Sequence, residues 1–359
     1  MTTPQRNTMN GKPVLTRPAK TVLNMHSAFE HKLLCDGPTF SLGDACAYSC
    51  SFCYVPDMMR KAAYVPKDQG AHADIVVRRE NALDTLLNQL TNTSKRLSYR
   101  TRKFSDHTDQ RVIYSSPLVD VAANMDLVRE TVQACILLLT LTHWHIRLLS
   151  KSNLLSKVAE LLIKTVKEGG VLGRARHFVP LTEESIRRRM IFGVSTGTLD
   201  DAQAAAFEQG CPKVSKRLES LHWLQDNGFR TFGMICPTLP QQNYNKWATD
   251  ILAALRPDKC EHIWAEVINV RGDSLTNTVK CLHEAGYEWQ AAELGRCATD
   301  KEVWEHHARQ TFLSLRSELD YLRQLHTPQA TVRLRFLQYV TKETRPWWQS
   351  ESTAGAILL

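Results

Sequence analysis

The chain has 359 residues, with 45 Lys and Arg against 37 Asp and Glu, a formal net charge of +8. With 43% hydrophobic and 23% charged residues, 16 Gly and 14 Pro, it is neither disordered nor low-complexity, and it can bury the core of one large domain or two moderate ones. Its longest apolar run, Ala134–Thr142, is far short of the ~20 residues a membrane span needs, and the N-terminus does not resemble a secretory signal. A cytoplasmic protein with no membrane partner is expected.

Residues 1–30 carry Pro4, Gly11, Pro13 and Pro18 without sustained periodicity, which predicts a flexible N-terminal arm. Strands and helices then alternate. Apolar periodicity predicts helices over Asn81–Leu90, Met125–Thr140 and Leu154–Val166, and short apolar runs predict strands over Val112–Ser116, His145–Lys151 and Met190–Thr196. Val214–Asp226 is an amphipathic helix stopped by Asn227-Gly228, and Phe229–Cys236 is the strand that follows, ended by Pro237 and Pro240. Tyr244–Leu255 is helix and His262–Ile268 strand. Beyond residue 271 come two more helical stretches, the longer Glu302–Leu325, and a strand-like run, Thr331–Leu337. Serial βα units predict an α/β protein whose parallel sheet has right-handed crossovers, barrel-like or doubly wound, with function at the strand C-termini.

Ten cysteines say more than the charge. In a reducing compartment, clustered cysteines point to metal or catalysis, not to disulfides. Cys35, Cys135, Cys211, Cys236, Cys260, Cys281 and Cys297 are scattered and read as buried or surface thiols. Cys46, Cys50 and Cys53 are not scattered: they form C-x3-C-x2-C within the loop-like segment that follows Gly43-Asp44. Three thiolates at this spacing can hold three irons of a 4Fe-4S cluster and leave the fourth open for chemistry. The other reading is a tetrahedral zinc site completed by Cys35 or His31, although a zinc knuckle does not explain the βα series that follows.

The triplet, with Phe52 before its third cysteine, resembles the signature of the radical S-adenosylmethionine (SAM) superfamily, and the chain beyond it resembles the spore photoproduct lyase-like branch over roughly residues 35–270. The resemblance implies a partial (β/α)6 radical SAM barrel over residues 31–270 and a mainly helical C-terminal extension over 271–359. It also implies a 4Fe-4S cluster on Cys46, Cys50 and Cys53, SAM as cofactor, and a reducing electron donor such as flavodoxin or ferredoxin. Ile75–Ala82 resembles the branch's first strand and helix entry. Val112–Asp120 resembles the second, where Ser115 and Ser116 would bind the methionyl amino group. Leu148–Ser152 resembles the third, so Lys151 inherits the carboxylate salt bridge. Phe192–Gly197 resembles the fourth, with Ser195 and Thr196 toward the ribose. Phe207–Pro212, Arg217–Leu224 and Ile235–Pro240 match in order, with Glu208 and Arg217 either paired near the cofactor or capping a helix. His262–Arg271 resembles the sixth strand, with Glu266 and Asn269 toward substrate.

One departure matters. The branch places a hydrogen-donating cysteine near the end of its second strand, where this chain reads Tyr114-Ser-Ser-Pro. Tyr54, Tyr114 or a spatially close thiol such as Cys236 are the substitutes. The resemblance tilts the substrate toward a nucleic-acid base or lesion, with a small metabolite or peptide as the enzymatic alternative and a non-catalytic metal-bearing nucleic-acid-binding module as the rival class. The basic clusters Lys95–Phe104 and Arg187–Arg189 sit in αβ connections, opposite the strand C-termini. Arg333, Arg335, Lys342, Arg345, Trp347 and Trp348 are a better-placed basic and aromatic group, unless the two tryptophans anchor the tail.

Overall fold

The computed structural model describes residues 8–9, 11–61, 75–91, 107–115, 118–169, 179–268, 273–325 and 332–359. Ser116, Asn269, Arg271 and the Lys95–Phe104 cluster lie outside the described residues. The chain divides into two compact units, the first made of residues 1–47, 74–192 and 222–230 and the second of 48–73, 193–221 and 231–359.

The first unit holds β1 (Thr8–Met9), β2 (Lys12–Arg17), β3 (Leu23–Asn24), β4 (Thr39–Phe40), β5 (Gly43–Ala45), β6 (Val76–Arg79), β7 (Val112–Ser115) and β8 (His145–Ser150). A four-stranded sheet runs in the order β1-β2-β6-β5, with β2 parallel to β6. Parallel β7 and β8 pair in register, Val112 with His145 through Ser115 with Leu148, and β4 lies parallel to β7 on its other side. Helices Met125–Leu141 and Leu155–Lys167 follow β7 and β8 in the chain and bury Leu127, Leu138, Leu139, Val158 and Leu162, and Ile113, Ile146 and Leu148 of the strands are buried as well. The described part of the expected arm is therefore structured. Asn81 accepts from the Ala19 N–H (2.6 Å), and Gln89 accepts from those of Val22 (2.7 Å) and Leu23 (2.9 Å), so side chains of helix Ala82–Thr91 and its entry satisfy a backbone that carries little apolar signal of its own.

β9 (Met190–Ser195) runs from the first unit into the second, which also holds β10 (Arg230–Thr238, from Thr231 on), β11 (Cys260–Val267), β12 (Arg333–Gln338) and β13 (Ala356–Leu358). These last four pair in chain order, each parallel to the next. The C-terminal stretch is mainly helical, through Ser274–Glu284, Glu288–Thr299 and Lys301–Leu325, and it adds β12 and β13 to the layer. Pro237 does not end β10 as expected. The register against β11 shifts between Ile235 and Thr238, and at such an irregularity a proline's missing N–H costs no ladder bond.

The Trp348 ring is wholly buried, stacked on Phe336 (5.5 Å, 3°) and edge-on to Phe312, with its N–H donating to Glu305 at 2.8 Å. It is a core side chain, while Trp347 carries Arg309 over its face at 4.4 Å. The Arg187–Arg189 cluster is likewise largely consumed. Arg189 is buried and donates to the carbonyls of Leu139, Thr142 and Trp144, and Arg187 is bonded to Glu183 and the Asn227 carbonyl. Among the described residues, no helix is long and apolar enough to cross a membrane.

Candidate functional site

Within the first unit, the C-terminal ends of β7 and β8 bring Ser115 and Lys151 onto neighbouring parallel strands. Ser115 is buried and its hydroxyl donates to the Phe40 carbonyl at 3.1 Å, so it is fixed with only lone pairs left to offer. Lys151 follows β8 directly, and Asp120 sets its position. One oxygen of Asp120 accepts from the Ser150 hydroxyl (2.7 Å) and the Ala122 N–H (2.9 Å), and the other accepts from the Lys151 N–H (2.7 Å). Burial pushes the Asp120 carboxyl above the ordinary aspartate range, against the pull of those three donors and the Lys151 charge. The sequence marks Asp120 only as a strand terminus, because Ser150 and Lys151, the partners that give it this role, lie about thirty residues away.

Cys46 closes the first unit's approach to the triplet, half-buried after β5. The strand before it is pinned by Asp44, which is held by Arg17 and Arg79, each at 2.6 Å. Burial alone would raise the Asp44 carboxyl, but the two guanidiniums outweigh it and hold it below the usual carboxylate range.

The second unit holds Cys50, buried, and Cys53, half-buried, in the turn leading into helix Val55–Lys61. The turn is tied to the segment after helix Asp201–Phe207 by two backbone hydrogen bonds, Ser51 N–H to the Phe207 carbonyl (2.8 Å) and Gly210 N–H to the Tyr48 carbonyl (2.9 Å). Phe52 packs on Phe207 at 5.9 Å, and the Ser51 hydroxyl meets that of Thr278 at 2.8 Å. These ties set the Cys50 and Cys211 sulfurs 3.5 Å apart. Cys211, read from sequence as one of the scattered thiols, is thus a neighbour of the triplet, and no spacing rule could have shown it. Burial, together with the Cys50 sulfur and the Glu208 carboxylate, pushes the Cys211 thiol well up.

Glu208 and Arg217 form a buried ion pair at 2.5 Å, with side chains 2% and 1% exposed, the pairing alternative of the two left open by the sequence. Arg217 also donates to the carbonyls of Pro212 (2.8 Å) and Ser195 (3.2 Å), so the pair locks the end of β9. There the Ser195 hydroxyl donates to the Cys236 carbonyl (3.0 Å), and that of Thr196 donates to the Thr198 carbonyl (2.5 Å). Gly197 passes so close to β10 that a Cβ would stand 1.7 Å from the Pro237 oxygen. Of the substitutes for the hydrogen donor, Tyr54 is exposed, Tyr114 is buried against Phe29, and Cys236 is half-buried in β10. Glu266 is buried near the end of β11.

Among the described residues, no three His, Cys, Asp or Glu side chains are gathered as a metal-holding group. The donor chemistry of the triplet nevertheless suits an iron–sulfur cluster: three thiols within eight residues, all ten cysteines of the chain free.

Solved structures resemble this chain in fold. Spore photoproduct lyase complexed with dinucleoside spore photoproduct superposes with a TM-score of 0.54 at 11% identity, over 90% of this chain and 82% of that one. The chain has the spore photoproduct lyase fold. A cysteine-to-alanine variant of that lyase with the same dinucleoside gives 0.51 at 10% identity, over 77% and 68% of the two chains. A tyrosine-to-phenylalanine variant gives 0.50 at 10%, over 76% of this chain and 66% of that one, so the chain spans just under two thirds of the lyase in that match. No protein-family model and no curated protein matches the sequence significantly.

Proposed function

We propose that this chain is a radical SAM enzyme built on a partial (β/α)6 barrel, holding a 4Fe-4S cluster on Cys46, Cys50 and Cys53. The observation that carries the reading is the C-x3-C-x2-C loop on a spore photoproduct lyase fold, two independent signals that agree. When bound, the cluster and SAM supply a 5′-deoxyadenosyl radical that abstracts hydrogen from a substrate carbon.

The chain's own residues bind and orient. Lys151 offers a cation to the methionyl carboxylate, and Asp120 fixes its backbone. The Ser115 hydroxyl donates its hydrogen bond to the Phe40 carbonyl, so its oxygen is left as an acceptor, suited with Ser116 to the methionyl ammonium. Ser195 is an acceptor for the same reason and suits a ribose hydroxyl, with Thr196 beside it. Glu208 and Arg217 hold this strand end in place.

The substrate proposed is a nucleic-acid base or lesion, and the electron donor a flavodoxin or ferredoxin. The similar structures include complexes with dinucleoside spore photoproduct. This chain ends β7 in Ser115, with no cysteine there to return hydrogen, which favours a substrate other than that photoproduct. Anaerobic reconstitution with iron and sulfide tests the reading: about four irons per chain are expected. Zinc in place of iron, with nucleic acid bound and SAM left intact, would establish the binding-module alternative.

A further inference from the structure

We propose that Cys50 and Cys211 are a redox modification site that closes reversibly to a disulfide when no cluster is bound. Their sulfurs lie 3.5 Å apart, and a disulfide bond is about 2.05 Å long. The two segments that carry them are already in register, joined by the Ser51–Phe207 and Gly210–Tyr48 backbone bonds on either side of Cys50. Cys50 lies in a turn and Cys211 between helices Asp201–Phe207 and Val214–Asp226, so neither thiol sits on a rigid element that prevents the remaining approach. Cys50 is buried and Cys211 is half-buried.

One of the two thiols, as its thiolate, attacks a small-molecule disulfide such as oxidised glutathione, expelling one glutathione thiolate and leaving a mixed disulfide on that sulfur. The other thiolate then attacks the protein sulfur of the mixed disulfide and expels the second glutathione thiolate. Two protein thiols are oxidised and one glutathione disulfide is reduced, the two protons lost by the protein thiols being taken up by the two expelled glutathione thiolates to give two glutathione thiols. The bond consumes the thiol of Cys50, so an oxidised chain lacks one cluster ligand. That consequence rests on the function proposed above; the disulfide itself does not.

The test uses the full chain purified free of iron, reduced, then exposed to oxidised glutathione, alkylated and digested. Mass spectrometry is expected to find a Cys50–Cys211 cross-linked peptide, kept in Cys281→Ser and lost in both Cys211→Ser and Cys211→Ala. Anaerobic iron uptake is expected to be lost in the oxidised wild type, to return with dithiothreitol, and to survive oxidation in Cys211→Ser. Cross-links from Cys50 to Cys46 or Cys53, or glutathione adducts alone, would overturn the proposal. A Cys50–Cys211 cross-link in a chain that takes up no iron even when reduced would instead refute the cluster reading and leave the thiol pair standing.

Discussion

Removing the Asp120 carboxylate is the most local way to ask whether the Lys151 segment is held as described. In Asp120→Ala three donors lose their acceptor: the Ser150 hydroxyl, the Ala122 N–H and the Lys151 N–H. Ser150 and Ala122 are 1% and 0% exposed, so water cannot replace the acceptor without the segment opening. An unsatisfied buried donor costs about 1–3 kcal/mol, and the hydroxyl can rotate toward another acceptor, which leaves the two N–H groups to dominate. Lys151 is half-buried and recovers part of its loss from solvent. A net local cost of about 1–3 kcal/mol follows, and at 1.4 kcal/mol per factor of ten this is roughly a 5- to 150-fold gain in local opening. Hydrogen exchange read by mass spectrometry on the peptide spanning 145–155 measures that gain directly, against peptides of helix Lys301–Leu325 as an internal reference. In the same variant, SAM affinity of reconstituted protein is expected to fall. Unchanged exchange over 145–155 would refute the assignment of Asp120 as the residue that fixes Lys151.

Other perturbations have equally definite outcomes. Arg217→Ala strands the Glu208 carboxylate in a site 2% exposed and is expected to cost about 3–5 kcal/mol in denaturant unfolding, whereas replacing both residues by leucine and methionine should cost much less; equal losses would mean the pair's geometry is not what matters. Trp348→Ala empties the space stacked on Phe336 and should destabilise by about 3–5 kcal/mol. A loss below ~1 kcal/mol would place that ring at the surface. His307 is buried between Tyr244 and the Thr238 carbonyl, and burial pulls it down to about 4. Unfolding returns it to about 6.5, so its contribution to stability is complete above that pH and is lost as pH falls toward 4. His307→Gln is expected to flatten the stability–pH curve over that window, and an unaltered curve would contradict it.

The regular part of the fold was legible because each segment's own pattern agrees with its place. The helix Val214–Asp226 coincides with its predicted bounds, and β8, β9 and β11 fall within two residues of theirs, since apolar runs of that length bury a strand wherever it lies. What escaped depends on partners distant in sequence. β2 is paired with β6, some sixty residues on, and the chain after it is held by Asn81 and Gln89, so the local composition of this stretch reads as loop. Arg187 and Arg189 look like a solvated basic patch until the carbonyls they serve are known. The cysteine triplet announces itself by spacing, but the approach of Cys211 to Cys50 across 161 residues is set by tertiary backbone bonds. Ser115 and Ser195 are singled out in the sequence by the family resemblance at two strand ends, and only the structure shows which neighbouring carbonyl each hydroxyl serves.

The cluster-and-SAM reading is tested most directly by 5′-deoxyadenosine release. Anaerobically reconstituted wild type, Cys50→Ala and Cys297→Ala are each reduced with dithionite in the presence of SAM, and the nucleoside is quantified. Release by wild type and Cys297→Ala, with none from Cys50→Ala, is the expected result. Equal release from both variants, or none from wild type carrying a full complement of iron, would contradict a cluster on Cys46, Cys50 and Cys53 that cleaves SAM.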